Sequence, residues 1–149
     1  MYSYLDRPVT TLDAGGRLLV WAVRRWLTAS QQRFCPIDAI GPAFSRYGLI
    51  PALAPFHRAM ILLSARTRQQ LNFAPLYCMR IAEGEALLLV LVASCLTRPA
   101  SALQQTLALL IEADAAAEMG AVLPQLAQAM SSAALLPQIP APPRLSNPR

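Results

Sequence analysis

The sequence predicts an all-α protein: a compact bundle of five or six helices around one central apolar helix, followed by a proline-rich C-terminal tail. Three observations carry that expectation. Apolar residues recur at helical spacing through most of residues 12–136, no run alternates apolar and polar residues with period two, and the stretch from Ala86 to Leu96 is apolar on every side. A chain of 149 residues is long enough to bury a real core as one domain. The expected organisation is an irregular N-terminal arm over 1–11, one helical domain over 12–136 and an extended tail over 137–149.

The first helix should begin near Leu12, with Asp13 as cap or first-turn acid, and run to about Ser30. Cys35-Pro36 then breaks the chain, and a short helix follows that stops at Gly48, with Gly41 and Pro42 threatening to split it. Pro51 and Pro55 suit only a helix's first turn, and apolar positions continue from there through Leu63. The segment from Gln69 to Glu85 lacks helical periodicity and contains Pro75, so it reads as a connecting loop, locally extended in places. Glu83 and Glu85 stand where first-turn acids favour a helix start, which places the central helix at about 82–96. The next helix should start around Pro99 and continue to a bend marked by Gly120 and Pro124, beyond which a last helix reaches Leu136. Five prolines in the final 13 residues forbid a helix there and suit an extended tail or a docking strap.

Composition narrows the class. Hydrophobic residues make up 55% of the chain and charged residues 14%, so a thinly charged surface is left with apolar area that a partner would cover. The net charge is +5 and every cation is an arginine, a bias that a GC-rich bacterial genome would also produce. Residues 1–80 hold ten arginines against Asp6, Asp13 and Asp38, whereas residues 81–118 hold Glu83, Glu85, Glu112, Asp114 and Glu118 against Arg98. Two halves of one fold that neutralise each other explain this split, as does a basic surface used externally. The longest apolar run has 11 residues where a membrane-spanning helix needs about 20, and no secretory signal can be read at the start. Three widely spaced cysteines without an export signal then suggest reduced thiols in a cytoplasmic protein.

The opening helix raises the sharpest question. At about 100° per residue, Leu18, Leu19, Val20, Ala22, Val23, Trp26 and Leu27 fill an apolar arc, while Arg17, Trp21, Arg24 and Arg25 fill the remainder. Arg17 and Arg25 each lie four residues from Trp21, close enough to stack on its indole. Either Trp21 merely closes the edge of a wide core face, or Arg17, Trp21, Arg24 and Arg25 form a patch for a protein partner or a second copy of the chain. Contact with a membrane surface is poorly supported, because no lipidation signal is present. A nucleic-acid-binding regulator using the arginine-rich half, with Arg66, Arg68 and Arg80 contributing, is the weaker alternative, since no recognised module or dense basic stripe can be read.

Catalytic and metal chemistry have thin support. Cys35, His57, Cys78 and Cys95 are the right ligand types for zinc, but their spacings of 22, 21 and 17 positions contain no close pair to seed a site. Cys35 or Cys78 with His57 would make a nucleophile pair, yet no surrounding signature supports one, and a single histidine leaves little general acid–base capacity. Gly15-Gly16 opens a helix without a phosphate-binding motif. No cofactor, metal or catalytic residue is therefore assigned. Glu112, Asp114 and Glu118, expected near a helix C-terminus where acids are disfavoured, imply arginines close by. The leading expectation is an interaction or accessory module. A small-molecule or metal site around His57 and the cysteines is the alternative.

Overall fold

The computed structural model describes residues 4–139. They form six α-helices: α1 (Ala14–Gln31), α2 (Pro36–Arg46), α3 (Ile50–Ala65), α4 (Glu83–Ser94), α5 (Ala100–Leu110) and α6 (Ala113–Ser132). No strand occurs among the described residues, so the all-α expectation holds, with the helix count at the upper figure. The tail from 140 to 149 lies outside the described residues.

α1 starts where its cap dictates. Asp13 has extended backbone, and its Oδ1 accepts from Gly16 N at 2.8 Å, satisfying one of the amides that a helix start leaves unpaired. α4 lies at the centre as expected, against α1 and α6: Leu88, Leu89, Leu91 and Val92 are each no more than 1% exposed. Each such side chain contributes about 1.5–3 kcal/mol by leaving water, and together they explain why the most apolar segment is the most completely buried helix. α3 packs along α6, α1 along α2, and α5 against α6.

The structure corrects three sequence expectations. α3 begins at Ile50, so Pro51 lies in its first turn but Pro55 lies one turn further in. α2 stays whole through Gly41 and Pro42. The third correction is larger: the chain breaks at Ile111-Glu112, and α6 then runs uninterrupted through Gly120 and Pro124. The break is held by an isolated antiparallel bridge between Thr67 and Ile111, in which Arg68 N donates to Leu110 O (2.9 Å) and Glu112 N to Arg66 O (3.0 Å). These bonds satisfy backbone groups that helix would otherwise pair, and Ile111 is fully buried in the process. Gly120 leaves room for the terminal amide of Gln104 of α5, which donates to Ala116 O; a Cβ there would push that flexible side chain aside. Pro124 forfeits one helical hydrogen bond, but Leu123, Leu126 and Ala127 beside it are buried and hold the helix together.

Among its described residues the N-terminal arm has no helix beyond a short 3₁₀ turn at Val9–Thr11, yet it is firmly tied. Asp6 N donates to Ile81 O, Ile81 N to Arg7 O, and Val9 N to Met79 O, so the arm pairs with the end of the loop that links α3 to α4. Tyr4 is fully buried, its hydroxyl donates to Gln138 O at 2.7 Å, and burial together with nearby Asp13 pushes its pKa up to about 12. The segment after α6 crosses the start of α1, where the Leu135 carbonyl occupies the place a Cβ on Gly15 would need, and Gln138 N donates to Asp13 Oδ2.

The charge split is used internally. Arg58 pairs with Glu118, and Arg66 with both Glu112 and Asp114, joining the basic half to the acidic half along the α3–α6 seam. The arginines implied by that acidic cluster are present, although Glu112 and Asp114 sit at a helix N-terminus, where their charge is favourable. These pairs hold the Asp114 and Glu118 carboxyls below their ordinary pKa.

Candidate interaction surface

α1 carries the residues singled out from the sequence, and the structure divides them. Arg17 and Arg25 are exposed and Trp21 is half-buried, so these three share the outer side of the helix. Arg24 does not belong with them. It is 3% exposed, and its Nε and Nη2 donate to Glu85 Oε2 (2.9 Å) and Oε1 (2.8 Å) in a two-pronged ion pair beneath the α3–α4 loop. Its remaining N–H groups donate to Cys78 O at 2.6 Å and Arg80 O at 2.8 Å. Glu85 also accepts from Ala74 N and from Ala82 N, the latter closing the start of α4 as the capping expectation required. Arg24 thus leaves the proposed patch and becomes the pin that fixes the loop.

That pin shapes the surface around Trp21. The loop it holds brings Leu76, Tyr77 and Met79 over α1, leaving a groove of about 330 Å³ bounded by those residues together with Val9, Arg17, Val20 and Trp21. On the other side of Trp21 a second groove, of about 450 Å³, runs between α1 and α2. Ala14, Leu18, Ala43 and Leu135 line it with Trp21, and Arg17, Arg46 and Tyr47 complete its walls. Tyr77 is 90% exposed, Met79 65% and Tyr47 50%. Trp21 is thus a ridge between two apolar hollows edged by large side chains that the fold does not cover. The aromatic contacts among the described residues are Trp26 with His57 and Phe44 with Phe56, so the expected guanidinium stacking on Trp21 is not among them.

Sequence reasoning missed Tyr47, Tyr77, Met79 and Arg46. Arg46 and Tyr47 end α2 at spacings that match the Ala14, Arg17, Leu18, Trp21 stripe of α1, a signal readable only once the two helices are known to be neighbours. Tyr77 and Met79 belong to an irregular segment with no periodicity to read.

The thiols and the histidine are not brought together. Among the described residues no three of His, Cys, Asp and Glu converge on a point that would hold a metal. Cys95 is buried, contacts the carbonyls of Val92 and Leu123, and has its pKa pushed up to about 11 by burial, as suits an inert core thiol. Cys35 is exposed, Cys78 is half-buried with its thiol toward Arg80 O, and all three are free thiols. His57 accepts from Trp26 Nε1 through Nδ1 at 2.9 Å, so its proton resides on Nε2 and its acceptor nitrogen is already committed.

Burial, aided by neighbouring Arg58, lowers the His57 pKa below 6.5. The neutral ring is therefore favoured in the fold. Its contribution to stability is complete above the unfolded-state value and is lost as pH falls through that value toward the folded one. Urea unfolding should show wild-type stability declining between about pH 7.5 and pH 5.5, with a shallower decline in His57→Gln. Equal slopes in the two proteins would remove His57 as the source.

Comparison of the chain with family models, with curated proteins and with solved structures finds no match. No helix of the described residues is long and apolar enough to cross a membrane.

Proposed function

We propose that the protein is an interaction module that binds a protein partner through the outer side of α1, with Trp21 as its anchor. One observation carries this reading: Trp21 stands between two apolar grooves whose rims bear exposed Tyr47, Tyr77 and Met79 alongside Arg17 and Arg46. Tyrosine, tryptophan, methionine and arginine are the residue types enriched at protein interfaces, and tryptophan, tyrosine and arginine are those that most often form their energetic hot spots. A catalytic reading lacks support, because His57 spends its acceptor nitrogen on Trp26 and so has no free lone pair to serve as a general base.

The test compares wild type with Trp21→Ala combined with Arg17→Glu. Both side chains reach solvent, so circular dichroism should report an intact fold. Proteins captured by wild type from the native source, or any self-association seen in sedimentation, should weaken by tenfold or more in the variant, since truncating a hot spot costs about 2 kcal/mol or more. If capture and sedimentation are both unchanged, α1 is only a wall of the bundle.

A further inference from the structure

We infer that the groove between α1 and α2 accepts an acidic, apolar-faced segment of a partner protein, an assignment that rests on the interaction reading above. The argument is one of charge left over. Four of the five carboxylates in residues 81–118 are already engaged, Glu85 by Arg24, Glu112 and Asp114 by Arg66, and Glu118 by Arg58. The fifth, Glu83, lies beside Leu87 and Leu109 and does not line this groove. Arg17, Arg25, Arg33 and Arg46, all on or between α1 and α2, have no carboxylate within ion-pair distance among the described residues. Asp13, the acid nearest the groove in sequence, is committed to Gly16 N and Gln138 N. Residues 1–3 and 140–149 bring no aspartate or glutamate and two more arginines, Arg144 and Arg149. Arg7, Arg68, Arg80 and Arg98 are also without an ion pair among the described residues, elsewhere on the surface. What marks this groove is that Arg17 and Arg46 line it together with no carboxylate among its lining residues.

The floor and the rim call for different halves of one ligand. Leu18, Ala14, Ala43 and Leu135 offer an apolar floor that rewards an inserted aliphatic or aromatic side chain. Arg17 and Arg46 stand on opposite helices at its edge, placed to meet carboxylates flanking that insertion. A two-fold dimer through this face would set the same arginines against each other, which argues against a second copy as occupant. A nucleic-acid duplex would satisfy the arginines, but its bases stay stacked and leave nothing to fill the floor. An amphipathic helix with glutamates beside its apolar stripe does both.

The experiment uses the full chain and three fluorescent designed amphipathic peptides with one apolar stripe, whose flanking positions are all Glu, all Gln or all Lys. Anisotropy titrations at low salt should rank binding Glu over Gln over Lys, with the Glu peptide weakening as salt rises. Arg17→Glu/Arg46→Glu should weaken the Glu peptide by about tenfold and leave the Gln peptide within about twofold, whereas Trp21→Ala should weaken both by about tenfold. Arg17→Gln/Arg46→Gln, which keeps the surface uncharged, should give an intermediate loss. Equal binding of the Glu and Lys peptides, no binding of any peptide, or indifference to the arginine variants overturns the acidic-ligand assignment. If the Gln or Lys peptide binds and Trp21→Ala abolishes it, the interaction surface stands and only its charge preference falls. If peptide binding ignores Trp21→Ala, the surface itself is wrong. Displacement of the Glu peptide by single-stranded oligothymidine, or a dimer that Trp21→Ala dissolves, would likewise replace this occupant with another.

Discussion

Glu85→Ala is expected to lower the stability of the folded chain by about 3–5 kcal/mol, the usual cost of leaving one member of a buried ion pair without its partner. For a domain whose total stability is about 5–15 kcal/mol, that loss is a large share of the whole and should move the midpoint of chemical unfolding to markedly lower denaturant. The size follows from the number of groups that depend on this carboxylate. Arg24, 3% exposed, would lose both of its charged bonds, and the amides of Ala74 and Ala82 would lose their acceptor. Glu85→Gln retains one acceptor oxygen, so it should fall between wild type and alanine. The double variant Arg24→Met/Glu85→Leu removes both charges and should recover part of the loss, because an uncharged pair avoids desolvation. Recovery should be incomplete, since the Cys78 carbonyl would lose its donor, the Arg80 carbonyl would keep only the Cys78 thiol, and the amides of Ala74 and Ala82 would lose their acceptor.

The same variants connect the pin to the surface. Tyr77 and Met79 hang from the segment that Arg24 holds, so loosening it should speed amide exchange around residues 76–80 and blunt the groove beside Trp21. Guanidinium unfolding measures the first effect and hydrogen exchange the second. A Glu85→Ala protein within about 1 kcal/mol of wild type would show that water replaces the carboxylate at little cost.

How much of this was legible depends on the range of the interaction. α1 was readable because its cap and its apolar arc are local, and α4 because an all-apolar segment has only one place to go. Arg24 was not, because it stands at the edge of that arc, and a helical wheel shows which residues are neighbours but not whether a loop some 50 residues further on folds over them. Glu85 was half legible: its capping role follows from position, its ion pair does not. At the α5–α6 junction the visible punctuation, Gly120 and Pro124, outweighed a subtler signal. Ile111 followed by Glu112 and Asp114 places acids where a helix start wants them, and it is there that the chain breaks. The proposed interaction surface was legible only at Trp21 and Arg17. Its other walls come from the end of α2 and from an aperiodic loop, neither of which announces what it lies against.

Leu89→Asp should abolish soluble, cooperatively folded protein. Leu89 is 1% exposed on α4, between Leu88 (0%) and Val92 (0%) on a helix that touches both α1 and α6. Losing the side chain alone costs about 2–5 kcal/mol, so Leu89→Ala should survive with a much lowered midpoint. The aspartate adds a polar group with no partner: the nearest buried cation, Arg24, is already saturated by Glu85 and two carbonyls. Burying an unpaired carboxyl adds several kcal/mol more, and the two costs together match the whole stability of a domain this size. Leu109 supplies the control, being a leucine on α5 that is 80% exposed. Leu109→Asp should cost only about 1 kcal/mol, from an acid in the helix's last turn and the lower helix propensity of aspartate. Expression yield, circular dichroism and urea unfolding of the three variants separate the outcomes. A Leu89→Asp protein that is soluble and unfolds in one sharp transition would mean that α4 is not the hub of the core, and the packing of α1 and α6 around it would have to be redrawn.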